Sequence, residues 1–186
     1  MALAEKQRAP TLKRAQTRRE LRLRRNAEMM ALARAEIPEL SERELFIAGV
    51  VAYWAEGSKN KPWGPNAQVK FINSDPNMVR FYLAWLQLLG VGHDRLTFRV
   101  HIHESADVGP SLAFWSDVVG VAEAAFRVTL KRHNPKTARK NIGGEYQGCL
   151  EVYVRRSNDL NLMIAGWCQA LAPAAITVVS APSGMV

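Results

Sequence analysis

The chain has 186 residues, 48% of them hydrophobic and five of them tryptophan, so it is long and apolar enough to bury a core and is no disordered polymer. Its net charge of +8 is unevenly spread: residues 1–36 hold ten Lys and Arg against four Glu, and the remainder is close to balanced. Such asymmetry suggests an electrostatic arm on a globular body, aimed at nucleic acid or an anionic membrane.

No apolar run approaches membrane-spanning length, and the N-terminus lacks an apolar core followed by a cleavage site. The Arg-rich start imitates a mitochondrial presequence, but its glutamates argue against one. Cys149 and Cys168 show no ligand spacing and fit reduced thiols. These features point to a cytoplasmic protein with no membrane partner.

Residues 13–35 are predicted as one helix, rich in Arg, Ala, Leu and Glu. Leu21, Leu23, Met29, Met30 and Leu32 form no single stripe, so the helix is expected to pack weakly: a solvated charged helix or an arm for nucleic acid. Pro38 closes this arm (1–37) and opens an α+β domain (38–171). Ser41 with Glu44 has capping-box spacing and opens a helix from about Glu42 to Glu56, stopped by Gly57. Residues 58–67 read as a loop or irregular arm. A strand, Gln68–Asn73, precedes Asp75-Pro76, a capping residue with proline at the first helical position; that helix ends at Gly90. Leu96–His103 alternates throughout and is the clearest strand. A short helix at 110–119 ends at Gly120, strands at Phe126–Arg132 and Gly148–Arg156 flank a basic loop at 133–147, and Ser157–Leu171 is the last helix. Residues 172–186 read as a loose tail. The expected fold is a mixed, mostly antiparallel four-stranded sheet with helices on one face.

Period-two alternation sorts the strands into two faces. Val69, Phe71, Leu96, Phe98, Val100, Ile102, Phe126, Val128, Leu130, Leu150, Val152 and Val154 form the predicted core face. Opposite lie Lys70, Arg99, His101, His103, Arg127, Thr129, Lys131, Glu151, Tyr153 and Arg155, and the adjoining loop adds Lys136, Arg139 and Lys140. Cations dominate that face, interleaved with Thr, Tyr and His able to bond phosphates or base edges, as a β-surface reader of nucleic acid requires. An ordinary polar sheet face is the plain alternative. If roughly six of these cations touch phosphates, affinity falls about a thousandfold between about 50 and 200 mM salt.

Glu56 is placed against the helix dipole, which disfavours an acid at a C-terminus unless a cation sits there: Lys59, Lys61 or a divalent metal. A plain surface acid is the competing reading. On the same helix Ala48, Gly49, Ala52 and Ala55 make a narrow side suited to close helix approach, while Phe46, Val50 and Trp54 are assigned to the core.

The stretch Leu45–Ser58, LFIAGVVAYWAEGS, resembles the signature helix of LAGLIDADG homing endonucleases, with Ala55-Glu56-Gly57 where that motif ends in Ala-Asp-Gly. VKFINSDP, FYLAWLQLLGV and LTFRVHIHES extend the similarity over roughly residues 42–170. The resemblance implies a sheet that saddles double-stranded DNA and signature helices paired in a homodimer. It also implies Glu56, alone among these residues, as the catalytic acid that holds Mg²⁺ for phosphodiester cleavage; on chemical grounds a lysine near the scissile phosphate would assist, and Lys131 or Lys70 is the candidate. The alternative is a non-catalytic DNA-binding transcriptional regulator on the same fold. A second alternative is a His-based metal enzyme built on His101 and His103, which point the same way from one strand, with Glu104, Asp107 or His133 as further ligands. Trp54, Trp85, Trp115 and Trp167 are read as core packing, and Trp63 as a base-stacking candidate.

Overall fold

In the computed structural model the backbone is described for residues 2–58, 68–132 and 146–180, and side chains within them from Arg14 to Thr177. The chain divides into two units, Met1–Ser41 and Glu42–Val186, a boundary slightly beyond the one Pro38 suggests. The first unit is helix α1 (Ala2–Ala35), which begins well before residue 13. Its described side chains are all exposed, Leu21, Met30 and Leu32 included. No apolar stripe exists for α1 to bury, so backbone propensity sustains it. Its last turn is closed by Arg34, whose Nε donates to the Met30 carbonyl at 3.1 Å.

The second unit is an α+β domain. Its elements are α2 (Glu42–Glu56), β1 (Lys70–Asn73), α3 (Pro76–Leu88), β2 (Leu96–His103), α4 (Val108–Val119), β3 (Phe126–Lys131), β4 (Cys149–Val154) and α5 (Asn158–Ser180). The four strands lie in the order β1-β4-β2-β3. β4 runs antiparallel to both β1 and β2, and β2 runs parallel to β3, with α4 as the crossover. Helices cover one face, where Phe71, Phe98, Val100, Ile102, Leu150, Val152 and Val154 are buried.

Local chemistry explains the helix ends. The Asp75 carboxylate accepts from the Asn77 amide at 2.8 Å, with Pro76 at the first turn of α3. Asp107 does the same for α4 through the Gly109 amide at 3.1 Å, so α4 starts two residues before the Pro110 start read from sequence. Gly120 ends α4 with a φ of 76°, a conformation that costs glycine nothing.

The core is aromatic. Tyr82 stacks on Phe71 with ring centroids 4.3 Å apart, and Tyr53, Tyr82 and Trp85 are mutual neighbours. Trp85 donates to the Phe46 carbonyl at 3.1 Å and Trp115 to the Gln147 carbonyl at 2.7 Å, so both buried indoles keep a partner. Gly49 is buried on α2, where a Cβ would fall on the Trp85 indole. At Gly49 the small-residue side of α2 is therefore filled from within the chain by α3, while Ala55 at its end stays exposed.

Four sequence expectations need correction. Trp54 is not a core residue: it is 49% exposed, beside Val51 at 48%. α2 is apolar around much of its circumference, and Gly49, Val50 and Tyr53 supply the face that α3 and the sheet bury. Val128 and Leu130, assigned to the core, are 38% and 56% exposed because β3 is an edge strand at the margin of the helical layer. Arg155 leaves the sheet face, since β4 ends at Val154; Arg155 lies in a turn and its guanidinium donates to the Asp94 carbonyl.

The fourth concerns α5, which continues past Leu171 through Pro173 to Ser180, replacing the first part of the expected loose tail. Within it, Asn158–Thr177 is long and apolar enough to cross a membrane by length and composition, with 11% of that window buried. This corrects the reading that no apolar run reaches such length. The first half of the same window is a packed helix of the domain: Ile164 and Asn161 are buried, and Trp167 meets Phe46 edge-on at 4.9 Å.

Candidate nucleic-acid interface

Strand register arranges the uncovered face in rows. Lys70 lies opposite Tyr153, which lies opposite Thr97. In the next row stand Ile72, Glu151, Arg99 and Arg127. Cys149, His101 and Thr129 follow, then His103 and Lys131. Four strands make a face roughly 14 Å across, and the length of β2 makes it roughly 20 Å long.

Charge on this face is not neutralised. Lys70, Arg99, Arg127 and Lys131 form no ion pair within 4.0 Å among the described residues. Arg99 and Arg127 are direct neighbours across a parallel pair, a like-charge arrangement that costs stability unless an anion lies over it. The carboxylate of the face, Glu151, is held by His101: Oε2 and Nε2 are 3.1 Å apart, and the two side chains are only 10% and 13% exposed. Glu151 is thus partnered by His101 within the face, and among the described residues no carboxylate pairs with the four long cations. Sequence alternation places Glu151 on this side, but its diagonal contact with His101 depends on register and is not readable beforehand. Thr97 and Ile72 also belong to the face; period two from Arg99 and Lys70 was signal enough to find both.

His103 is buried beneath the rim of the face, its Nδ1 2.7 Å from the Ser105 hydroxyl. With His101 on Glu151 and Asp107 capping α4, these side chains each have a structural role. No group of three or more His, Cys, Asp or Glu able to hold a metal occurs among the described residues. Lys136, Arg139, Lys140, His133 and Trp63 lie outside the described residues.

Glu56 is the exposed last residue of α2. Directly after it the chain pairs with β1: Gly57 bridges to Phe71, and the Ser58 amide donates to the Lys70 carbonyl at 2.8 Å. Tyr53 fastens the same corner, its hydroxyl accepting from the Lys70 amide at 3.3 Å. Glu56 and Lys70 therefore share the β1 edge of the sheet. Lys131 lies on β3 at the opposite corner, three strand spacings across and six residues along the strands from Lys70, roughly 24 Å away. Of the two lysines considered as helpers of Glu56, Lys70 is the one at its corner.

A divalent ion such as Mg²⁺ demands an octahedral set of oxygen ligands. In phosphoryl-transfer sites it commonly takes one or two of these from carboxylates and the rest from water and substrate phosphates, and Glu56 offers one exposed carboxylate at this corner. Comparison of the chain with models of known families, with characterised proteins and with solved structures finds no match.

Proposed function

We propose that this protein binds duplex DNA across the open face of its sheet. One observation carries the proposal: Lys70, Arg99, Arg127 and Lys131 stand on one face without a carboxylate partner among the described residues, while Glu151 is engaged by His101. Phosphates relieve the crowding of these cations, and Thr97, Thr129 and Tyr153 between them offer hydroxyls to phosphate or base edges. Basic α1 adds a second, sequence-independent source of phosphate contacts.

The same reading includes a homodimer. Ile47, Val51, Trp54 and Ala55 lie at helical spacing on α2, and Val51 and Trp54 are about half exposed. Two such stripes packed together would bury both tryptophans. Val51→Arg should then convert a dimer to a monomer in sedimentation equilibrium; a monomeric parent protein would refute this part.

Binding is tested by fluorescence anisotropy with a duplex pool at varied salt. Four phosphate contacts per chain predict an affinity loss of about a hundredfold between about 50 and 200 mM salt. Replacing the four cations by Ala should flatten that dependence in a protein lacking residues 1–41, which removes the contribution of α1. Duplex binding that is absent at low salt, or unchanged by the four substitutions, refutes the proposal. Incubating plasmid DNA with Mg²⁺ or Mn²⁺, beside Glu56→Gln, separates the two activities. Cutting that needs both the metal and Glu56 makes the protein a nuclease, whereas binding without cutting makes it a regulator of the DNA it holds.

A further inference from the structure

β3 carries information that DNA binding does not use. Among the described residues its outer edge pairs with no strand. The Lys131 carbonyl accepts from the Glu104 amide at 3.1 Å, on the β2 side. Since the amide and carbonyl of one strand residue point the same way, Arg127, Thr129 and Lys131 turn their backbone groups toward β2, and Val128 and Leu130 turn theirs to the open edge. The side chains divide differently. Val128 and Leu130 are exposed on the helix side of the sheet, and Arg127 and Lys131 are exposed on the other.

We propose that β3 is a docking edge for an extended peptide of another protein, one that alternates acidic and apolar residues. Such a strand would complete the ladder through the free amides and carbonyls of Val128 and Leu130. Its apolar side chains would cover those two residues, and its carboxylates would meet Arg127 and Lys131. A second copy is the wrong occupant. β3 itself carries no acid: antiparallel self-pairing sets Arg127 against Lys131 of the other copy in the register about Thr129, or against Thr129 in the register about Val128, and neither gives these cations a counter-charge. Charge therefore selects an acidic strand over β3 itself.

Docking and DNA binding share Arg127 and Lys131, so a bound acidic strand would weaken duplex binding. That consequence rests on the proposed DNA interface; the docking itself does not.

The test uses the full chain and acetyl-Glu-Val-Glu-Val-Glu-Val-Glu-amide, with amide hydrogen exchange followed by NMR. In the free protein the Val128 and Leu130 amides should exchange quickly, and added peptide should protect both. The matching Lys-Val peptide should bind at least about tenfold more weakly, a difference of ~1.4 kcal/mol. Methylating the backbone amides of alternate peptide residues should abolish binding. Val128→Pro removes an outward N–H, which an edge strand tolerates, and should lose the peptide while keeping duplex binding; Leu130→Glu serves as a second variant with an unaltered backbone.

Several outcomes overturn the proposal. Val128 and Leu130 amides already protected in the free chain would mean that the chain covers its own edge. Equal binding of the Lys-Val peptide, or wild-type peptide binding by both variants, would remove the charge and ladder arguments. A dimer dissolved by Val128→Pro would identify a second copy as the occupant. If duplex binding is absent but the peptide still protects β3, the DNA reading fails and the docking edge stands.

Discussion

The Glu151 carboxylate lies 3.1 Å from Nε2 of His101, at the centre of a sheet face whose other charged groups are cations. Glutamine at position 151 would keep an acceptor for the imidazole and remove the negative charge. Glu151→Gln should therefore tighten duplex binding about threefold to tenfold at low ionic strength, the scale of about one kcal/mol for one screened charge near the phosphates. Anisotropy titrations check this, and unchanged or weaker affinity would show that phosphates do not approach this face.

Gly49 exists for Trp85. Ala at a helical position normally gains up to about 1 kcal/mol over Gly, but here the added Cβ would overlap the indole. Gly49→Ala should lose about 1–3 kcal/mol, the usual cost of overpacking a core. Thermal unfolding followed by tryptophan fluorescence measures it; a stabilised protein would mean that α2 and α3 are less closely packed.

Tyr82 is buried with its ring on Phe71, and its hydroxyl has no hydrogen-bond partner among the described residues. Removing that hydroxyl relieves a desolvation cost without opening a cavity. Tyr82→Phe should raise the unfolding free energy by about 1 kcal/mol in urea denaturation. A loss of similar size would reveal a partner for the hydroxyl.

Burial pushes the Tyr82 phenol well above its ordinary range and raises Tyr53 as well, the latter against the opposing effect of its bonds to Ser58 and the Lys70 amide. In the unfolded chain both ionise near pH ~10. The folded state holds these protons longer than the unfolded one, so their contribution is intact below about pH 10 and is lost as pH rises beyond it. Urea midpoints should be flat on the neutral side of that value and fall above it. Tyr53→Phe/Tyr82→Phe should flatten the fall.

Much of the fold is readable from residues because its signals are local. Leu96–His103 alternates over its whole length, and Asp75-Pro76 and Gly120 mark helix ends by chemistry that needs no tertiary partner. The Asp107 cap is hidden in the sequence because Gly109 and Pro110 weaken the helical pattern just after it, and Pro110 by itself looks like a start. The misplacement of Trp54 has another cause. Leu45, Phe46, Ile47, Val50, Val51 and Trp54 surround much of α2, so periodicity does not choose the buried side; the fit of Trp85 against Gly49 does.

Strand order was the largest unknown for the interface. Alternation assigns Arg99, Arg127 and Lys131 to one face, but the β1-β4-β2-β3 order decides that Arg99 and Arg127 stand opposite each other, that Lys70 shares a corner with Glu56, and that Val128 and Leu130 lie at the margin. Those relationships arise from pairings distant in sequence. No local pattern encodes them.

In the proposed DNA complex, the length of α1 would set a scale of its own. Its 34 helical residues extend about 51 Å, equal to roughly fifteen base-pair rises of duplex. The sheet alone protects a segment limited by its own width. If α1 lies along the backbone, nuclease footprints of the whole protein should outgrow those of a chain beginning at Glu42 by up to that distance, and the added protection should be indifferent to base sequence.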